Sequence, residues 1–145
     1  MELSSTAHLK APPDRVFAEV ANLDTYPGWL GIVSGARRVD ATETDVGPAW
    51  SMDLVGRIGP LRRTKTLRMV RVEARPPKLV RFERHEVGGG QNSAWVLTAE
   101  MEAADGGSQL TIALHYGGAG RIPGLDRLLR DEIAKATKRL AKRLR

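Results

Sequence analysis

Ala11-Pro12-Pro13-Asp14-Arg15-Val16-Phe17, followed shortly by Tyr26-Pro27-Gly28-Trp29, is the stretch that orders the rest of the chain. Proline has no N–H to donate, so Pro12-Pro13 ends any ladder before it, and its fixed φ suits a first helical turn. Asp14 falls in that turn, where a carboxylate interacts favourably with the helix dipole. Val16, Phe17 and Val20 then give an apolar face at helical spacing. Asn22-Leu23-Asp24 breaks this helix, and Asp24 is placed to cap a shorter second one running through Tyr26 and Trp29 to Leu30. The expectation is a pair of short helices with Phe17 and Trp29 turned inward.

Around this pair the sequence reads as strand. Leu3, Ser5, Ala7 and Leu9 alternate with Glu2, Ser4, Thr6, His8 and Lys10, the period of a half-buried first strand. Downstream the period of two returns and predicts strands near 36–42, 48–57, 61–75, 78–87, 92–104 and 108–117. Asp45-Val46-Gly47-Pro48, Gly59-Pro60, Pro76-Pro77, Gly88-Gly89-Gly90 and Asp105-Gly106-Gly107 punctuate them. Strands joined so tightly pair antiparallel, and a set of seven with normal twist curls toward a half-open barrel. Leu67 and Met69 lie on the opposite parity to Val70 and Val72, which predicts a bulge near Met69–Val70. Finally Leu125, Leu128, Leu129, Ile133, Ala136, Leu140 and Leu144 form one apolar stripe on a helix of about 22 residues. The concave face of the sheet is the one surface large enough to cover it.

At 145 residues without cysteine, the chain reads as a single domain with no disulfide, zinc ribbon or thiol catalysis. The lack of cysteine fits a reducing cytoplasm. The start Met1-Glu2-Leu3-Ser4 shows no secretory signal, and no apolar run is long enough to span a membrane. Residues 121–145 hold nine basic and three acidic side chains, which accounts for the whole net charge of +6. Basicity therefore belongs to the last helix, and the rest of the chain is balanced.

Parity sorts the strand side chains into two faces. Trp50, Met52 and Leu54 share one, as do Trp95, Leu97, Ala99 and Met101, and Leu110, Ile112, Leu114 and Tyr116. Val80 and Phe82 align with Arg84, the one charge whose parity aims it inward, against the plain alternative that it reaches out to water at the strand end.

The order strand, two short helices, six strands and a long helix, opened by Ala11-Pro12-Pro13-Asp14-Arg15-Val16-Phe17 and Tyr26-Pro27-Gly28-Trp29, resembles the START / polyketide cyclase–dehydrase superfamily (SRPBCC), which includes the major birch pollen allergen. The resemblance implies an α+β helix-grip fold with a cavity between sheet and final helix. It implies a lining of Trp29, Trp50, Met52, Phe82, Trp95, Leu97, Tyr116, Leu129 and Ile133, with Arg84 and Tyr116 orienting a polar end. Against each aromatic stands the plain alternative that it fills the core.

Other chemistries find little support. His8, His85 and His115 fall on outward parities with no helical metal pairing, so no metal or cofactor is expected. No Gly-x-Ser-x-Gly elbow is present. Gly117-Gly118-Ala119-Gly120 lacks the Lys-Ser/Thr ending of a phosphate loop and reads as a hinge. The favoured function is binding or carriage of an apolar small molecule, a lipid, acyl chain or polyketide-like compound. One alternative is a polyketide aromatase/cyclase or dehydratase. Another is a regulatory or toxin-like protein acting through its basic helix. Arg57, Arg62, Arg63, Lys65, Arg68 and Arg71 suit peripheral contact with an anionic membrane. Nucleic acid is disfavoured because no base-stacking aromatic lies among them.

Overall fold

Pro13 opens an eight-residue helix, α1 (Pro13–Val20), between β1 (Glu2–Leu9) and a 3-10 helix (Leu23–Gly28). The computed structural model describes residues 2–58, 60–88, 92–117 and 124–144. Beyond the helical pair come β2 (Val33–Val39), β3 (Ala49–Ile58), β4 (Leu61–Arg75), β5 (Leu79–Arg84), β6 (Trp95–Ala104), β7 (Gly107–Tyr116) and α2 (Leu125–Arg143). The strands make one antiparallel sheet of seven in the order β1-β7-β6-β5-β4-β3-β2. α2 touches both β1 and β3, the first and sixth strands of that order, so the sheet must curve around it. α1 packs on β5, β6 and β7, and the 3-10 helix on β2 and β3, closing one end of the curve.

Several predicted elements shift. β2 begins at Val33 rather than near 36, because Ile32 and Val33 are buried against the core and the register slips between Val33 and Gly35. Residues 40–48 then leave the ladder and form a connection anchored by Asp45, which accepts the Thr42 N–H at 2.7 Å. β5 ends at Arg84 rather than 87. Beyond it the Glu86 carboxylate takes the Arg68 N–H at 3.1 Å, replacing a strand partner. The bulge falls at Val72, between Arg71 and Glu73, slightly later than expected. Val70 therefore keeps its outward parity; it is buried there beside its cross-strand partner Ala49. The predicted turn residues Gly59, Gly89 and Gly90, the hinge residues Gly118-Ala119-Gly120, and Arg121, Pro123 and Arg145 lie outside the described residues.

The 3-10 helix is not capped by Asp24. Asn22 occupies the capping position without a side-chain bond, and Asp24 turns instead to the Trp50 indole. α2 is entered through Gly124, whose φ of 84° is a left-handed conformation that glycine adopts without strain. The stripe on α2 is buried from Leu129 through Leu144, whereas Leu125 and Leu128 are only half-buried. That gradient marks the end of the interior away from α1.

Candidate functional site

The inward face has two unlike halves. At the α1 end, Trp29, Tyr26, Phe82 and Trp50 form a continuous aromatic chain. Tyr26 lies 4.3 Å from Trp29 and 6.1 Å from Phe82 between ring centroids, and Phe82 meets Trp50 edge-on at 5.6 Å. Such pairs add about 0.5–1.5 kcal/mol each beyond area burial. Trp50 and Phe82 expose 0% and Trp29 1% of their surface, so they are packed into the core. Burial pushes the Tyr26 phenol far above its usual pKa, and its hydroxyl donates to the Val20 carbonyl at 2.8 Å. Trp50 donates its indole N–H to Asp24 at 3.1 Å, with the guanidinium carbons of Arg38 and Arg71 at 5.0 and 5.8 Å from its ring centroid. These three expected lining residues are thus core, and Tyr26 joins them although parity in a short helix gave no sign of it.

The other half is looser. Trp95 stacks on Tyr116 at 5.6 Å with 27° between planes, as their register pairing on β6 and β7 requires. The Tyr116 hydroxyl donates to Asp126 in the first turn of α2. Leu128, two residues on in α2, lies over Gly56 of β3, where a Cβ would stand 2.8 Å from Leu128 Cδ2. Trp95 keeps 8%, Leu114 6%, Leu97 5% and Met52 4% of their surface, and Leu54, Leu125 and Leu128 keep more. Leu129 and Ile133 join the two halves from the helix side and are buried.

Arg84 does face inward, on the parity of Phe82 and opposite Met69, but it is not available to a ligand. Its Nε donates to Glu86 at 2.6 Å and its Nη1 to the Ser93 carbonyl at 3.2 Å and hydroxyl at 3.3 Å. The cation that sequence reading passed over is Lys65. It shares the inward face of β4 with Leu67, and its ammonium sits 5.9 Å from the Trp95 ring centroid. Within an all-basic ribbon its parity was the one available signal. Partial burial and then the Arg84 guanidinium lower its pKa below the usual lysine value, against a smaller opposing pull from Glu86.

His8, His85 and His115 are exposed, as parity predicts. No cluster of three or more His, Cys, Asp or Glu able to hold a metal occurs among the described residues. No described helix is long and apolar enough to cross a membrane. Two open clefts, of about 430 and 640 Å³, lie at the opposite end around Pro13, Ala103 and the Pro77–Leu79 turn, away from the residues above.

Solved structures share the fold at low identity. A START superfamily protein from Mycobacterium smegmatis aligns with a TM-score of 0.73 at 12% identity, covering 99% of this chain and 96% of that one. Major latex-like protein 151 from Panax ginseng gives 0.71 at 12%, covering 99% and 97%. Ara h 8.0201 gives 0.64 at 17%, covering 99% and 97%. No curated protein matches the sequence. The sequence model of one family spans residues 1–145, and with the curved sheet gripping α2 it fixes the assignment: this chain belongs to the family described as polyketide cyclase / dehydrase and lipid transport.

Proposed function

We propose that the protein binds an apolar small molecule between the curved sheet and the first turns of α2, at the Trp95–Tyr116 end. The observation that carries this reading is the asymmetry of the interior. Aromatic packing seals Trp29, Trp50 and Phe82 at the α1 end, while at the other Leu54, Leu125 and Leu128 are half-buried and Trp95, at 8%, is the most accessible of the three tryptophans. Pockets for such ligands are mostly apolar with a few convergent polar groups, here Tyr116, Asp126 and Lys65. Family membership supports the same ligand class, a lipid, acyl chain or polyketide-like compound. Native mass spectrometry of protein purified without detergent tests it. Co-purifying apolar ligand, lost in a Leu97→Glu variant that still folds, is the expected result. Empty protein that also fails to bind added acyl chains would overturn it.

Loading from an anionic bilayer fits this reading. Leu61 is 56% exposed at the β3–β4 turn, with Arg57, Arg62 and Arg63 around it. Each basic side chain near such a surface contributes about 1 kcal/mol. Sedimentation with anionic but not zwitterionic vesicles is expected, and equal sedimentation with both would contradict it.

A second reading, polyketide cyclisation or dehydration, draws on the Tyr116–Asp126 hydrogen bond, a proton donor held beside a carboxylate at the ligand end. Turnover of a poly-β-keto mimic that disappears in Tyr116→Phe would favour it. Unchanged ligand affinity without turnover favours carriage.

A further inference from the structure

Lys65 is an exposed lysine on the inward parity of its strand, opposite Leu54. A long basic side chain normally carries its ammonium out to water while its stem covers apolar surface. Here the inward face of β4 reads, from the turn inward, Leu61, Arg63, Lys65, Leu67 and Met69. Lys65 thus stands where basic residues give way to buried apolar ones. Its ammonium leans over Trp95 and donates one long bond, 3.4 Å, to the Ser93 hydroxyl. Among the described residues no carboxylate pairs with it. The acid that acts on it electrostatically is Glu86, which already accepts from Arg84 at 2.6 Å and from the Arg68 N–H at 3.1 Å. Arg63, on the same face and cross-strand from Gly56, has no ion pair among the described residues either.

The exposed rim of the apolar end therefore carries positive charge, from Lys65 and Arg63, with no ion-pair partner among the described residues. Arg84, by contrast, is neutralised. An ammonium at that rim is stabilised by an anion whose tail lies against the apolar residues behind it, since such a charge-assisted bond is roughly twice as strong as a neutral one. Leu54, Leu67, Leu97 and Trp95 lie behind it and match a hydrocarbon tail.

We infer that the ligand is a single-chain amphiphile with an anionic head group, and that Lys65 is the residue that selects the head, its tail lying against Trp95, Leu97 and Leu54. This rests on the apolar-ligand reading and names the ligand class within it. A carboxylate on an acyl chain is the simplest such compound. Selection follows from the difference in affinity between charged and neutral heads on one tail, so the tail contribution cancels.

The test compares decanoate, 1-decanol and decylamine at neutral pH by calorimetric titration of wild type, Lys65→Met and Lys65→Arg. In wild type, decanoate is expected to bind about tenfold more tightly than decanol, which corresponds to about 1.4 kcal/mol. Lys65→Met is expected to bring the ratio near unity while leaving decanol affinity in place, and Lys65→Arg to retain the preference. Equal binding of decanoate and decanol by wild type overturns the inference and leaves the apolar site standing. An unchanged ratio in Lys65→Met, or a preference for decylamine, overturns it likewise. Failure of all three compounds to bind overturns the apolar-ligand reading and this inference together.

Discussion

Arg68 donates from both terminal nitrogens to the Asp45 carboxylate, at 3.1 and 2.6 Å, and so pins the connection between β2 and β3 to the outward face of β4. The same guanidinium reaches the carbonyls of Asp40 and His85 at 3.0 and 3.1 Å, and little of either side chain is left to water. Arg68, and secondarily the Thr42 N–H, hold the Asp45 carboxyl well below the usual carboxylate range. Its folded pKa is depressed, so the stabilisation is fully present above the unfolded value of about 4. It is lost as the pH falls through the folded value. Asp45→Asn is expected to cost about 1–2 kcal/mol at neutral pH. The difference in melting temperature between wild type and variant is expected to shrink on acidification toward about pH 2. A difference that stays constant with pH contradicts the assignment.

Trp50 is predicted to be structural. Trp50→Phe preserves the contact with Phe82 but removes the N–H donated to Asp24 and weakens the stacking of Arg38 and Arg71. The expected cost is about 1–2 kcal/mol in urea denaturation. Trp50→Ala, which opens a cavity, is expected to cost about 3–5 kcal/mol. Neither Trp50→Phe nor Asp24→Ala is expected to change decanoate affinity more than about twofold, a small effect at these distances. A larger change would return Trp50 to the ligand site.

Gly56 sets the spacing between β3 and the first turns of α2. An alanine Cβ there meets only the far end of the Leu128 side chain, at 2.8 Å, and that end can rotate. Gly56→Ala is therefore expected to cost less than about 1 kcal/mol. Gly56→Phe pushes a ring into the Leu128 contact, displaces the first turns of α2 and is expected to reduce acyl-chain binding by about tenfold or more. Parallel urea and binding titrations check both. Tighter binding by Gly56→Phe would place the ligand elsewhere.

The fold is largely readable from the residues, because the period of two and the α2 stripe are strong, repeated signals. Where prediction shifts, a side chain has taken over a backbone role. Asp45 and Arg68 draw residues 40–48 out of the β2 ladder, and Glu86 supplies the acceptor that ends β5. The division of the interior was not legible. Parity places Trp50 and Trp95 on one face alike, and only the packing of α1 and the 3-10 helix seals one and spares the other. Arg84 shares the inward parity of Phe82, yet nothing in its spacing showed that Glu86 and Ser93 would occupy it. Lys65 was hidden among like charges for the same reason: its significance lies in which neighbours are already paired.

The chain has three tryptophans, and they report separately on the two halves. Heteronuclear NMR of the indole N–H groups, assigned through Trp29→Phe, Trp50→Phe and Trp95→Phe and titrated with decanoate, is the most direct measurement. The account predicts a saturable shift of the Trp95 resonance with those of Trp29 and Trp50 nearly still. A shift confined to Trp29 or Trp50, or none in any of the three at saturating decanoate, would contradict it.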